Sequence, residues 1–157
     1  MSDLVKSLSK KLQDKGWMIA TAESCTGGMI AAAMTDLTGS SALFDRGFVT
    51  YSNEAKMELL GVSRETLATY GAVSAEVAGE MVTGALLNSH ADLAVSVTGI
   101  AGPGGGTMDK PVGLVYIATA IKGGEPHVSK NIFAGERADV RRQSVETALR
   151  QLEKLAG

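Results

Sequence analysis

Ser24 and Lys56 are the two side chains whose types and surroundings could do covalent chemistry together. Ser24 lies in Thr21-Ala-Glu-Ser-Cys-Thr-Gly-Gly28, where an apolar run from Trp17 to Ala20 gives way to a helical pattern starting near Thr26. A strand-to-helix turn presents a side chain at the carboxyl edge of a sheet and aims unpaired helix N-terminal amides at the same point. A serine there is a candidate nucleophile, with an oxyanion site supplied by the amides of Cys25 and Thr26 and with Gly27 lining the same turn. The G-x-S-x-G pattern is not met, because Ala22 and Thr26 stand at the glycine positions. The commoner role of Ser24 or Thr26 is to cap the helix. Cys25 is a rival nucleophile, although a lone cysteine at a helix start more often packs than reacts.

A hydroxyl nucleophile needs a base. The two histidines, His90 and His127, have no sequence neighbours that would complete a triad. A lysine can serve instead if it is neutral enough to accept a proton. In Tyr51-Ser-Asn-Glu-Ala-Lys56 the lysine falls in the first turn of a predicted helix, where the positive end of the dipole disfavours an ammonium. Its spacing to Leu59 and Leu60 predicts a shared, inward face. Both effects lower its pKa. The alternative is a solvated lysine paired with Glu54 or Glu58.

Two further groups fit an anionic ligand. Gly99-Ile-Ala-Gly-Pro-Gly-Gly-Gly106 directly follows a buried apolar run, Asp92 to Thr98, and so leaves the carboxyl end of a strand, where open α/β sheets keep their ligand crevice. It is neither a P-loop nor a dinucleotide fingerprint. Free amides from Gly99, Ile100, Ala101 and Gly102 up to Pro103 and beyond could line a phosphate or a sugar; a mobile surface turn is the alternative. Arg137 and Arg141 sit in the first turns of the last predicted helix, in line with its apolar stripe of Val145, Ala148 and Leu152. Cations there oppose the helix dipole, which a bound anion would relieve; salt bridges to Glu136 or Asp139 would do so too.

The elements that must position these residues follow from periodicity. A first helix is marked by Leu4, Leu8 and Leu12 and ends near Gly16. Then come a strand over Trp17–Thr21, a helix over Thr26–Leu37, a strand over Leu43–Tyr51 and helices ending at Gly61 and Gly71. A helix capped by Ser74 runs to about Ser89. The strand from Asp92 to Thr98 follows, then a hairpin of Val112–Ile121 and Val128–Phe133, and a last helix over Glu136–Leu155. This alternation predicts an α/β fold, a three-layer α/β/α sandwich on a mixed, largely parallel sheet. With 157 residues and 45% apolar content, one domain over residues 1–157 is expected. A net charge of -2 argues against nucleic-acid binding. One cysteine excludes a disulfide framework, and no metal-ligand spacing is present. No apolar stretch is long enough for a membrane span and no secretory h-region is present, so a cytoplasmic protein is expected.

The chain resembles the C-terminal domain of CinA-type competence/damage-inducible proteins and the stand-alone nicotinamide-mononucleotide deamidases. The likeness spans nearly its whole length. It rests on Thr21-Ala-Glu-Ser-Cys-Thr-Gly-Gly28, Gly47-Phe-Val-Thr-Tyr-Ser-Asn-Glu-Ala-Lys56, Gly71-Ala-Val-Ser74, Thr98-Gly-Ile-Ala-Gly-Pro103, Lys110-Pro-Val-Gly113 and Gly135-Glu-Arg137. The resemblance implies hydrolysis of the carboxamide of nicotinamide mononucleotide (NMN), with Ser24 as nucleophile, Lys56 as general base and Tyr51 placing or relaying the proton. It implies no metal or cofactor, and a short form lacking the molybdopterin-binding-like domain of larger members. The loop from Gly99 to Pro103 and Arg137 are expected to hold the ribose phosphate. A non-catalytic nucleotide-binding or regulatory module is the rival reading. A homo-oligomer, a dimer by preference, is expected from the open sheet and glycine-rich helices.

Overall fold

Three leucine-spaced turns begin the chain in the computed structural model, which describes residues 1–157. Val5, Leu8 and Leu12 form the buried stripe of α1 (Ser2–Lys15), and Gly16 ends it in a left-handed conformation. Trp17 still belongs to that helix end, since its amide donates to the Leu12 carbonyl at 2.9 Å. Strand β1 (Ile19–Glu23) therefore starts two residues later than periodicity predicts and carries its pairing through Glu23. Ser24 follows immediately.

After β1 come α2 (Met29–Met34), a 3-10 turn at Ser40–Ala42, β2 (Phe44–Val49), α3 (Asn53–Leu60), α4 (Arg64–Tyr70) and α5 (Ala75–Leu87). The chain continues through β3 (Leu93–Gly99), β4 (Leu114–Ile121), β5 (His127–Ile132) and α6 (Arg137–Ala156). Helix α2 is the element that differs most from its expected span. Gly27 and Gly28 adopt φ of 57° and 103°, a region that ends helical continuity on their N-terminal side, so the helix begins only at Met29.

The five strands lie in the order β2-β1-β3-β4-β5. Strand β1 is parallel to both β2 and β3, whereas β4 pairs antiparallel with β3 and β5 with β4. The sheet is mixed, as the sequence predicts, with parallel pairing confined to its β2-β1-β3 half. The reason is the direct return of β4 against β3 after the glycine-rich loop, without a crossover helix.

Helices cover both faces. On one side α1, α2 and α6 bury Leu8, Ile30 and Leu149 against Ile19, Val95, Val97 and Ile117. On the other, α3, α4 and α5 meet a sheet surface of Ala20, Ala22, Ala94, Ala118 and Ala120. Small side chains let α5 lie close to the sheet. Close packing continues between helices, where a Cβ on Gly84 of α5 would land on the Leu60 carbonyl of α3. The alanine face therefore seats α5, and α5 seats α3.

Candidate active site

The parallel strands β1 and β2 run side by side, with Glu23 opposite Val49, so the segments leaving their carboxyl ends are neighbours. From β1 emerges the Ser24 turn; from β2 emerges Thr50-Tyr-Ser52, which leads into α3. Ser52 caps α3 by accepting the Ala55 amide at 3.0 Å. This fixes Lys56 in the first turn of the helix, pointing toward β1.

The geometry brings the two sequence candidates together. Lys56 Nζ lies 3.1 Å from Ser24 Oγ, 2.8 Å from the Thr50 carbonyl oxygen and 3.4 Å from that of Tyr51. The lysine is only 1% exposed, and Ser24 8%. No carboxylate pairs with Lys56, so neither Glu54 nor Glu58 supplies the expected alternative. Burial pushes its pKa below the ordinary lysine value, opposed weakly by the neighbouring Cys25. Leu60 shares the inward face, but Leu59 is 47% exposed, since α3 turns only the Lys56–Leu60 edge toward the sheet.

The Ser24 turn is held on every side. Its amide donates to the Val97 carbonyl at 2.9 Å, and the Gly27 amide donates to the Ser24 carbonyl at 3.0 Å. Gly27 thus closes the turn and offers no free donor, whereas the amides of Cys25 and Thr26 have no protein acceptor. Neither Ser24 nor Thr26 caps α2; the Thr26 hydroxyl is buried without a partner. Glu23 takes that role. It is fully buried, and its two carboxylate oxygens accept the Ile30 and Ala31 amides at 2.9 and 3.1 Å. Sequence reasoning placed Glu23 beyond the strand and missed it; a charged residue inside an otherwise apolar strand was the available signal. The Cys25 side chain packs in the core, and burial raises its thiol to about 11.

Arg141 is half-buried, and its Nε donates to the Cys25 carbonyl at 3.0 Å. Arg137 is exposed and bridges two segments: Nη1 donates to the Gly102 carbonyl and Nη2 to the Tyr51 hydroxyl, both at 2.9 Å. The phenol of Tyr51 therefore sits on Arg137 rather than on the Ser24–Lys56 pair, which it reaches only through its backbone carbonyl. Neither arginine has a carboxylate partner, because Asp139 accepts the Glu136 amide and pairs with Arg142. An open cavity of about 540 Å³ lies beside Arg137, lined by Ala101, Pro103, Val112, Gly135 and Glu136.

The glycine-rich loop is less free than expected at its start. Gly99 remains in the β3 ladder opposite Val115, and the Ile100 amide donates to the Leu114 carbonyl at 2.9 Å. The direct pairing of β3 with β4 takes up the Ile100 amide. Amides of Ala101, Gly102 and Gly104 remain without protein acceptors. No group of three His, Cys, Asp or Glu side chains converges to hold a metal, and no helix is long and apolar enough to cross a membrane.

Fold and site together define an α/β protein built around a buried serine–lysine pair at the end of parallel strands, with Arg137 bridging the segments that follow β2 and β3. The chain belongs to the CinA family: the profile of the CinA C-terminal domain matches residues 1–156. It is 54% identical over 158 aligned residues to the nicotinamide-nucleotide amidohydrolase PncC of Enterobacter agglomerans, covering 98% of this chain and 96% of that one. It is 51% identical over 152 residues to PncC of Escherichia coli strain K12, covering 97% and 92%. Among solved structures, the competence/damage inducible protein CihA from Agrobacterium tumefaciens superposes with a TM-score of 0.97 at 48% identity, covering 99% of this chain and 95% of that one.

Proposed function

We propose that this chain is a nicotinamide-nucleotide amidohydrolase, converting NMN and water to nicotinic acid mononucleotide and ammonia in pyridine nucleotide recycling. The observation that carries the chemistry is the 3.1 Å approach of a buried, carboxylate-free Lys56 to Ser24. The relatives named for this activity carry the substrate.

A neutral Lys56 amine has two N–H groups and one lone pair. The two carbonyls of Thr50 and Tyr51 satisfy the N–H groups, which leaves the lone pair to accept the Ser24 O–H. Lys56 takes that proton as Ser24 Oγ attacks the carboxamide carbon. The oxyanion is held by the Cys25 and Thr26 amides, each such donor being worth about 3–4 kcal/mol. The lysine then returns the proton to the amide nitrogen, the C–N bond breaks and ammonia leaves. Water attacks the acyl-serine with Lys56 again as base, and Ser24 recovers its proton as the carboxylate product departs.

Arg137 and the free amides of Ala101 and Gly102 are assigned to the ribose phosphate, with Arg141 supporting the turn from behind. Tyr51 places Arg137 rather than relaying the proton. Binding energy at the phosphate aligns a carboxamide that would otherwise be held poorly.

Ammonia release from NMN, measured for wild type and Ser24→Ala, tests the reading. We expect turnover in the first and its loss in the second, with NMN still bound. A wild-type protein that binds NMN without releasing ammonia would establish the nucleotide-binding module instead. We further propose that the chain acts as one domain without cofactor, metal or nucleic acid, in the cytoplasm, where its lone thiol stays free. We also propose a homodimer, supported by exposed Val128 and Ile132 on the unpaired edge strand β5. Sedimentation at the mass of one 16.2 kDa chain would refute the dimer.

A further inference from the structure

Glu23 is the one buried carboxylate beside the site, and the mechanism above leaves it unused. It closes a ring: its carboxylate accepts the Ile30 and Ala31 amides, so the intervening turn, including Ser24, Cys25 and Thr26, is tied back to its own starting point. No cation pairs with it. Its backbone carbonyl accepts the Thr50 amide at 2.9 Å, and the Thr50 carbonyl in turn accepts from Lys56. One residue therefore fixes the nucleophile turn through its side chain and the holder of the base through its main chain.

We propose that Glu23 is the positioning residue of the reaction, its carboxylate holding the Cys25 and Thr26 amides and the Ser24 hydroxyl in register with Lys56. The inference rests on the serine–lysine reading. A glutamine at this place offers one acceptor and one donor, so one of the two helix amides would face an N–H. An aspartate keeps the carboxyl group but is one methylene too short to reach both amides. Both variants leave the main-chain bond to Thr50 in place, so they isolate the side chain. The groups around Lys56 are two backbone carbonyls, the Ser24 hydroxyl and the Cys25 thiol. Glu23 is not among them, so its replacement is expected to leave the limb of the rate profile set by Lys56 deprotonation where it is.

The test is steady-state hydrolysis of NMN by Glu23→Gln and Glu23→Asp, at a temperature where circular dichroism shows both folded. Glu23→Gln is expected to lower kcat about tenfold or more, with KM within about threefold of wild type and the pH limb unmoved. Glu23→Asp is expected to fall between the two. If the glutamine variant does not fold, the aspartate variant alone decides by the same split. Wild-type kcat in a folded variant would overturn the proposal, as would a loss that merely tracks the folded fraction. A shifted pH limb would also overturn it, because Glu23 would then act by charge on Lys56. Ser24→Ala and Lys56→Met run in parallel separate the two readings: if they retain turnover, the serine–lysine mechanism is what has failed.

Discussion

At the scale of single residues, Lys56 holds the sharpest conflict between stability and use. An amine enclosed among carbonyls, a hydroxyl and apolar side chains resists protonation, so its folded-state pKa lies below the ordinary 10.5. The unfolded chain therefore binds more protons than the folded one between the depressed value and 10.5, and stability rises with pH across that window. Below it, both states are protonated and the burial penalty is present in full. Lys56→Met removes the charge while keeping length. We expect it to lower kcat roughly a thousandfold or more, yet to match or exceed wild type in denaturant midpoint at neutral pH. The stability difference between the two proteins should shrink as pH approaches 10.5, which urea titrations across pH would show. Cys25 behaves oppositely. With its thiol raised to about 11, it is protonated near neutrality and a poor nucleophile. Cys25→Ala is expected to keep turnover within about threefold of wild type, since the turn uses the backbone of Cys25 and not its sulfur. An inactive, folded Cys25→Ala would transfer the nucleophile's role to sulfur.

At the scale of elements, Lys56 is delivered by packing between helices. Helix α3 carries Lys56, and its end at Leu60 rests against α5 at a glycine, where no side chain fits. Gly84→Ala would add one methyl to that contact. Overpacking of this kind costs about 1–3 kcal/mol, and relief by moving α3 would carry Lys56 away from Ser24. Both a lower denaturant midpoint and a lower kcat are expected, with KM little changed. Retained kcat in a destabilised variant would show that α3 yields without moving its lysine. The helices and strands themselves were largely legible, because apolar spacing, Ser52 and Ser74 caps and the Gly16, Gly61 and Gly71 ends are local signals. What was misread were boundaries. Trp17 reads as strand by its hydrophobicity, but its amide finishes α1. Thr26 reads as helix by its neighbours, but two positive-φ glycines delay α2 to Met29.

At the scale of the whole molecule, Arg137 joins three separate parts. It stands at the start of α6, donates to the glycine-rich loop after β3 and donates to Tyr51 after β2. A substrate phosphate arriving there would meet a guanidinium already oriented, with no carboxylate to displace. Arg137→Ala is expected to raise KM for NMN about tenfold or more. Its effect on free nicotinamide, which lacks the phosphate, should be small. Equal effects on both substrates would remove Arg137 from phosphate recognition. A loss of KM discrimination without a change in fold, read by circular dichroism, would separate binding from architecture.

The sequence by itself determined the order and type of the elements, the inward direction of Lys56 and the family motifs that single out Ser24. These depend on interactions within a few residues, namely helical spacing, capping and backbone preference, which a linear chain displays directly. Only the tertiary structure decided that Ser24 and Lys56, 32 residues apart, lie within hydrogen-bonding distance, and that Arg137 reaches Tyr51 across 86 residues. It also decided that Arg141 supports the Cys25 carbonyl and that Glu23 serves as a helix cap. Those contacts follow from strand order and helix packing, which arise from burial of the sheet's two faces and leave no local trace in the chain.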